Sequence, residues 1–327
     1  MVDNTLVSII IPLYNAEKHI GSAIQSCINQ TWKNKEIIVI DDGSTDQSYE
    51  IAKTYQSEIV QVFNQKNQGA SAARNKGFSL SRGEYIQFLD ADDFLSPNKI
   101  ESQLSLLLVN EDKLCLCATI YFSEEEEPDI SSLCHPWFSK GSDDPVDFIT
   151  KLYKTNAIGT GYGGMIQPNA WLIPKKLIDQ SGGWDELISV DDDGEFFCRL
   201  ILGSKGIVYS YDALNFYRSH VTGKNLSADN STKAFESRLK ALDSKYRQLL
   251  LKTNSSKIAS GVFASNYWEL GVQSFPKNLI ISKICIRKAK AFDYNGPKFI
   301  GAKKSTALSK IIGWKLTRLA MFYLFKI

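Results

Sequence analysis

Three carboxylates lie within four residues at the end of a short apolar segment. Residues 85–89 have the composition of a β-strand, and they lead into Asp90, Asp92 and Asp93. Like charges this close repel one another, and a divalent cation relieves the repulsion. Mg²⁺ and Mn²⁺ prefer hard oxygen ligands and often hold a diphosphate at the same time. The run therefore predicts a site for a metal ion and a diphosphate, with a solvated acidic turn as the alternative interpretation.

A second acidic cluster consists of the consecutive residues Asp191, Asp192 and Asp193. At the start of a helix, consecutive side chains point about 100° apart, so only one of the three can face a bound substrate. Crowding of like charges raises the proton affinity of one member. A carboxylate with a raised pKa is suited to general-base catalysis near neutral pH, so the cluster predicts a catalytic base.

Alternating strands and helices are predicted to position the first cluster. The predicted strands are residues 6–11, 36–40, 60–64 and 85–89, and the predicted helices are 16–29, 69–80 and one through Tyr49, Ile51, Ala52 and Tyr55. The continuous apolar run of the first strand indicates burial on both faces. Repeated alternation with short connections predicts an α/β fold with a mostly parallel sheet flanked by helices. Ligands bind at the carboxyl ends of such strands, where Tyr14-Asn15, Asp41-Asp42 and the carboxylates after residue 89 are expected.

Composition limits the class of protein. The 327 residues are enough for one large domain and a smaller one. No apolar stretch reaches the length of a membrane span, and no basic region followed by an apolar core begins the chain, so secretion is not expected. The six cysteines are scattered, which favours buried reduced thiols over a zinc site. We therefore expect a cytoplasmic protein.

The charge is unevenly distributed along the chain. Residues 277–326 contain twelve Lys or Arg and one acid, a net charge of +11, so the rest of the chain carries −9. In a helix over residues 305–327, the apolar side chains Leu308, Ile312, Leu316, Leu319 and Tyr323 would fall within about 80° of arc. The pattern predicts peripheral binding to the anionic inner face of the cell membrane, and a helix packed on the catalytic domain is the alternative. No nucleic-acid recognition module is present, so nucleic acid is not an expected partner.

Several segments together resemble the family 2 glycosyltransferases. They are residues 7–15, 41–46, 67–77, 89–93, 182–186, 191–200 and 216–220, in order and at sensible spacing. The resemblance implies a GT-A fold, nucleotide-diphosphate sugars as donors and inversion of the anomeric centre. It covers roughly residues 5–222, so we expect a catalytic domain over residues 1–222. A basic, mainly helical region with an amphipathic tail is expected over residues 223–327.

The resemblance implies roles for the residues at the strand ends. Tyr14 would offer a π face to the base of the donor, and Asp42 would accept a ring N–H. Arg74 would pair with the diphosphate or approach the base, since its planar fork suits either task. Asp90 would reach the ribose or the donor sugar. The full set of implied nucleotide-binding residues is Pro12, Tyr14, Asn15, Asp42, Arg74 and Asp90.

The implied metal ligands are Asp92 and His220, which would hold Mg²⁺ or Mn²⁺. Neutral imidazole binds such metals, and the Tyr-Arg-x-His context of His220 resembles the end of the family's catalytic domain. A structural hydrogen bond is the alternative for this histidine. The metal would act as a Lewis acid on the departing diphosphate.

The family places an acidic pair six residues before an arginine, and counting back from Arg199 identifies Asp193 as the base. The family usually has glutamate before that aspartate, whereas this chain has Asp192, whose role is therefore less defined. Asp185 and Glu186 are predicted to contact the acceptor or to cap the preceding glycine turn. Trp184 is a predicted platform for an acceptor sugar ring, with packing in the core as the alternative.

These observations predict an inverting hexosyl- or N-acetylhexosaminyl-transferase. It would use a nucleotide-diphosphate sugar, with UDP as the expected nucleotide. The acceptor would be a hydroxyl of a glycan or lipid-linked molecule in bacterial surface polysaccharide synthesis. A sugar-nucleotide or glycan-binding protein without turnover is the alternative from another class. A nucleotidyltransferase ranks last, because the first strand is followed by Pro12-Leu13-Tyr14-Asn15 rather than a glycine-rich phosphate loop.

Overall fold

The computed structural model describes most of the chain, namely residues 4–153, 162–164, 166–219, 229–299 and 301–325. The chain divides into two compact units. The first comprises Met1–Phe148 and Met165–Lys224, and the second comprises Ile149–Gly164 and Asn225–Ile327. The sequence assigned residues 149–164 to the first domain, whereas the described residues of that range, 149–153 and 162–164, belong to the C-terminal unit.

An eight-stranded mixed sheet forms the centre of the first unit. Its strands are β1 (Val7–Leu13), β2 (Lys35–Asp41), β3 (Val60–Asn64), β4 (Tyr85–Phe88), β5 (Phe94–Leu95), β6 (Leu114–Ser123), β7 (Trp171–Pro174) and β8 (Ile207–Ser219). Their order is β3-β2-β1-β4-β7-β6-β8-β5. Among the described residues, four of the seven pairings are parallel, namely β1 with β2, β1 with β4, β2 with β3, and β6 with β8. The mostly parallel α/β sheet is therefore confirmed.

The parallel half of the sheet is apolar on both faces. β1 lies between β2 and β4, and its residues Val7, Ile9, Ile10 and Ile11 have no exposed surface. β2 is buried along its whole length. Strands covered by helices on both faces have this continuous apolar sequence, which is why the sequence alone located them.

Seven α-helices are described that lie in the first unit or cross its boundary. They are α1 (Ile20–Ile28), α2 (Ser48–Thr54), α3 (Ala70–Leu80), α4 (Lys99–Leu107), α5 (Pro145–Tyr153), α6 (Lys175–Ser181) and α7 (Asp192–Gly203). α3 follows Gly69, whose φ of +95° favours glycine. α3 also approaches β1 closely, because a Cβ atom on Gly77 would lie 2.3 Å from Ile10 Cγ2.

The second unit is helical. Its described helices of two turns or more after residue 228 are α8 (Thr232–Thr253), α9 (Ser256–Gln273), α10 (Leu279–Ala291) and α11 (Lys303–Phe325). Ser231, Ser255 and Asn278 cap the first three through side-chain oxygens. Asp243 joins the same three helices, since its Oδ1 atom accepts hydrogen bonds from Tyr267 and Lys288, both at 2.5 Å.

Two features of this unit differ from the expectation. The sequence did not predict α10 as a helix. It also predicted one continuous helix over residues 305–327, whereas α11 is interrupted at Gly313, where φ is +79° and ψ is +158°. Within the described part of the chain, no helix is both long enough and apolar enough to cross a bilayer.

Candidate active site

The loops after β1 and β2 are tied together at the carboxyl edge of the sheet. Asn15 Oδ1 accepts a hydrogen bond from Thr45 N at 2.8 Å, and Asn15 N donates to Ser44 Oγ at 3.0 Å. The neighbouring Tyr14 is 51% exposed, and Pro12 is partly buried within β1. The hydrogen bonds of Asn15 therefore fix the loop, while the ring of Tyr14 remains accessible to a planar ligand.

Asp42 anchors the loop between β3 and α3. Its carboxylate accepts hydrogen bonds from Gln68 N at 2.9 Å, Gly69 N at 2.7 Å and Gln65 Nε2 at 2.8 Å. The residue is only 3% exposed. The predicted contact between Asp42 and the nucleobase of a donor stays a prediction. The structure shows that Asp42 also holds the loop in place.

Asp93 points away from the strand-end site and into the protein. It is 1% exposed, and it accepts hydrogen bonds from Asn169 Nδ2 at 2.8 Å and from Arg218 N at 2.7 Å. Arg218 also donates through Nε to the carbonyl oxygen of Asp92 at 3.0 Å. Burial, together with the charges of Asp92 and Asp90, raises the pKa of Asp93 well above its usual value. β8 therefore fixes the conformation of the carboxylate loop.

The residues of this loop fit a metal that is shared with a ligand. No group of three His, Cys, Asp or Glu converges on one point within the described ranges. Mg²⁺, however, commonly takes one or two carboxylates and completes its shell with phosphate and water. Three carboxylates lie within four residues here, and the cation would offset their mutual repulsion. Asp92 and Asp90 are partly exposed and suit this mode, whereas His220 lies outside the described residues.

Arg74 connects the loop after β4 to the start of α7. Nη2 donates to Asp90 Oδ1 at 2.8 Å, and Nη1 donates to Asp192 Oδ2 at 3.1 Å. The residue is 7% exposed, and its guanidinium lies 4.4 Å from the centroid of the Trp184 ring. Burial alone would lower the pKa of Arg74, but Asp90 and Asp192 outweigh it and raise the pKa. The predicted contact with a diphosphate or base stays a prediction.

The three consecutive aspartates occupy different environments. Asp191 precedes α7 in a left-handed conformation with φ of 65°. Asp192 accepts from Ser71 Oγ at 3.1 Å as well as from Arg74, and burial raises its pKa. Asp193 is the second residue of α7, and burial and then the charges of Asp192 and Asp191 raise its pKa to about 7. Asp193 therefore has the proton affinity that a general base at neutral pH requires.

Residues 182–186 form a turn that two side chains hold from outside. Asn75 accepts from Trp184 N at 2.8 Å and donates to Trp184 O at 2.9 Å and to Glu186 Oε1 at 2.8 Å. Arg199 donates to the carbonyls of Ser181, Gly182 and Gly183 and forms a bidentate pair with the buried Glu195. Neither residue had been predicted to hold this turn, since Arg199 served only to locate the acidic pair six residues before it. Both residues lie within segments that resemble the family, and that position is the feature of the sequence that could have identified them.

The structure assigns the core-packing role to Trp184. The residue is 4% exposed, and its ring stacks on Phe196 with a centroid distance of 4.2 Å. A buried ring offers no face to an acceptor sugar, so the predicted platform is corrected. Asp185 Oδ1 accepts from Leu187 N at 2.9 Å, which is a turn-capping contact. Asp185 and Glu186 are exposed, and their contact with an acceptor stays a prediction.

Comparison with known proteins identifies the family to which this chain belongs. The family model described as glycosyl transferase family 2 matches residues 8–171, half of the 327-residue chain. An uncharacterized glycosyltransferase from Haemophilus influenzae is 48% identical over 108 residues, which are 32% of this chain and 43% of that relative. This chain thus matches less than half the length of that relative. The uncharacterized glycosyltransferase RP339 of Rickettsia prowazekii is 30% identical over 71% of this chain and 69% of its own.

A solved structure extends the likeness to nearly the whole chain. Staphylococcus aureus TarS 1–349 in complex with UDP-GlcNAc superimposes with a TM-score of 0.61 and 16% identity, over 96% of this chain and 90% of that one. At this identity the likeness shows the fold, which is the GT-A fold. Together with the family model and the Rickettsia prowazekii relative, it shows that this chain belongs to glycosyl transferase family 2.

Proposed function

We propose that this glycosyltransferase moves a sugar from a UDP-sugar to a hydroxyl of a glycan or lipid-linked acceptor, with inversion of the anomeric centre. The observation that carries the proposal is the position of Arg74 between Asp90 and Asp192. Asp90 follows the strand where a donor would bind, and Asp192 is adjacent to the candidate base. One guanidinium thus joins the donor side of the site to the catalytic side.

Asp193 is the proposed base. The acceptor oxygen attacks the anomeric carbon on the face opposite the diphosphate. The new carbon–oxygen bond forms as the sugar–phosphate bond breaks, and the diphosphate leaves with the bonding electrons. Asp193 takes the hydroxyl proton. Its pKa of about 7 makes it a stronger base than an ordinary aspartate. A single displacement of this kind turns an α-linked donor into a β-linked product.

The donor side is built from the strand ends. Tyr14 would stack on the uracil ring, and the Asn15 contact with Thr45 holds the Tyr14 loop in place before the donor arrives. Asp92, with Asp90, would hold a Mg²⁺ or Mn²⁺ ion. When bound, such an ion stabilises the charge that develops on the departing diphosphate.

The choice of UDP rests on the TarS complexes with UDP and UDP-GlcNAc. We therefore propose a hexosyl- or N-acetylhexosaminyl-transferase of bacterial surface polysaccharide synthesis. We also propose that it works in the cytoplasm, because all six cysteines are free thiols, the state that a reducing compartment maintains.

The test is a panel of nucleotide sugars, each incubated with Mn²⁺ or Mg²⁺, with release of the nucleoside diphosphate as the readout. We expect one UDP-sugar to be turned over, and NMR of an early transfer product to show the inverted anomeric configuration. Asp193→Asn should lower turnover by roughly 10²–10⁴-fold. Asp191→Asn, in which asparagine also tolerates the left-handed conformation, should keep most of the turnover and shift its pH dependence to lower pH, because the charge of Asp191 helps to raise the pKa of Asp193.

Two results would contradict the proposal. Retention of the donor's configuration would exclude a single displacement. Tight binding of a UDP-sugar without turnover, in the presence of metal and a range of acceptors, would indicate a sugar-nucleotide-binding protein instead.

A further inference from the structure

Apolar side chains are exposed on the C-terminal half of α11. Leu316 is 55% exposed, Tyr323 is 71% exposed and Leu324 is 74% exposed. Leu316 and Tyr323 are seven residues apart, which places them on one side of the helix. Isolated apolar side chains on a surface are normal, but a group along one helix face marks an interaction surface.

The other side of this half-helix contacts the rest of the second unit. Thr317 has no exposed surface, and Arg318 donates to the carbonyl oxygens of Gln273 and Phe275 at 2.8 and 3.2 Å. The Trp314 ring lies against Trp268 and Phe275. These contacts fix the orientation of the half-helix, so its outward apolar side is a stable feature of the surface.

Basic residues are exposed on α10, whose start contacts the end of α11. Lys277 Nζ lies 5.9 Å from the centroid of the Phe322 ring, which places the start of α10 beside the end of α11. On α10, Ile280 is 73% exposed, and the exposed Lys283, Arg287 and Lys290 follow it at helical spacing. The described exposed face of α10 from Ile280 to Lys290 therefore combines one apolar side chain with three cations.

We propose that this region binds the headgroup layer of an anionic lipid bilayer, as a function separate from sugar transfer. We define the basic apolar surface as the exposed residues Lys277, Ile280 and Lys283 at the start of α10 together with Leu316 and Tyr323 on α11. The apolar members enter the interface between headgroups and acyl chains, and the lysines reach lipid phosphates with their flexible stems.

The positive charge of this region favours an anionic lipid surface as its binding partner. The segment 277–326 carries a net charge of +11, whereas the rest of the chain carries −9. Two copies of so basic a surface would repel each other, which disfavours a symmetric dimer through this face. Each lysine near an anionic leaflet strengthens binding roughly fivefold. A few exposed cations and apolar side chains therefore suffice for reversible binding without a membrane-spanning helix.

The experiment is flotation of the full chain with vesicles of equal parts phosphatidylcholine and phosphatidylglycerol, and with vesicles of phosphatidylcholine alone. We expect flotation with the anionic vesicles, and less of it as salt is raised. A charge variant with Lys277→Gln and Lys283→Gln should partition roughly thirtyfold more weakly, at about 1 kcal/mol for each lysine. An apolar variant with Leu316→Ser and Tyr323→Ser should also float poorly. All four positions are exposed, so both variants should keep the fold.

Matched controls lie in the same unit. Lys240→Gln with Lys257→Gln removes two exposed charges from α8 and α9. Leu251→Ser with Ile258→Ser removes two apolar side chains that are 70% and 44% exposed. Flotation of the controls should equal that of the unaltered chain.

Equal flotation of variants and controls would overturn the proposal, as would no flotation at all or equal flotation on neutral vesicles. Sedimentation velocity without lipid adds a further check. A dimer that the Leu316→Ser and Tyr323→Ser variant dissociates would assign the surface to a second copy of the chain instead. None of these readouts depends on sugar transfer, so failure here leaves the proposed enzymatic activity untouched.

Discussion

Asp193 holds its proton to a higher pH than an ordinary aspartate because burial and two neighbouring aspartates disfavour its charged form. As the proposed base, Asp193 must be deprotonated to accept a proton, so we expect its raised pKa to set the lower limit of the working pH range. With a pKa of about 7, the rate of transfer should rise through neutral pH and level off above it.

Asp193→Asn should lower the transfer rate by roughly 10²–10⁴-fold, the range expected when a general base is removed. Asparagine has nearly the same size but cannot accept the hydroxyl proton. UDP binding, measured by calorimetry, should stay close to that of the unaltered enzyme, and the rise in rate near pH 7 should disappear. A mild effect at Asp193 together with a severe one in Asp192→Asn would identify Asp192 as the base.

Asp92→Ala should abolish divalent-dependent turnover of the donor. Asp92 is the proposed metal ligand, while the loop around it is held by Arg218 and by the buried Asp93. The fold should therefore survive, and circular dichroism should show an unchanged spectrum. Full activity in this variant, or in the unaltered enzyme with excess chelator, would exclude the metal assignment.

At the scale of secondary-structure elements, α3 connects the parts of the site. Two of its consecutive residues reach different segments, since Arg74 binds Asp90 and Asp192 while Asn75 binds the turn at Trp184. The helix can do this only if it lies close to β1. Gly77 permits that approach, because any Cβ atom there would overlap Ile10.

Gly77→Ala should therefore move α3 or strain β1, and the overpacking should cost about 1–3 kcal/mol of stability. The thermal midpoint should fall, and transfer should weaken because Arg74 and Asn75 shift with the helix. Gly261→Ala is the control, since a Cβ atom there meets nothing within 4 Å and alanine favours the helix α9. A Gly77→Ala enzyme with unchanged stability and activity would show that the contact is easily relieved.

At the scale of the whole molecule, the sequence was most informative where the pattern is local. The apolar run of β1 and the residues after each strand were predictable, because burial on both faces produces continuous apolar sequence. α10 was not predicted. In the sequence its buried residues Ile281 and Cys285 alternate with lysines and an arginine, so the segment was predicted only as part of a basic, mainly helical region, without a helix of its own.

The contacts that complete the site were not predictable from one sequence. Asn75 and Trp184 are 109 residues apart, and Arg74 and Asp192 are 118 residues apart. A pattern over neighbouring residues cannot predict contacts between residues so far apart in the sequence. The burial of Trp184 depends on Phe88 and Phe196, which come from distant elements. The position of β7 between β4 and β6 likewise depends on tertiary pairing.

β8 has a consequence for the order of events during synthesis. It is the last strand of the described sheet in the chain, yet it lies between β6 and β5 and holds Asp93 through Arg218, 125 residues away. The other partner of Asp93, Asn169, is 76 residues away. The ribosome therefore releases the crowded carboxylates well before either anchor exists. Because such distant contacts form slowly, we expect the donor site to mature late, so that a nascent chain cannot consume nucleotide sugar before its sheet is closed.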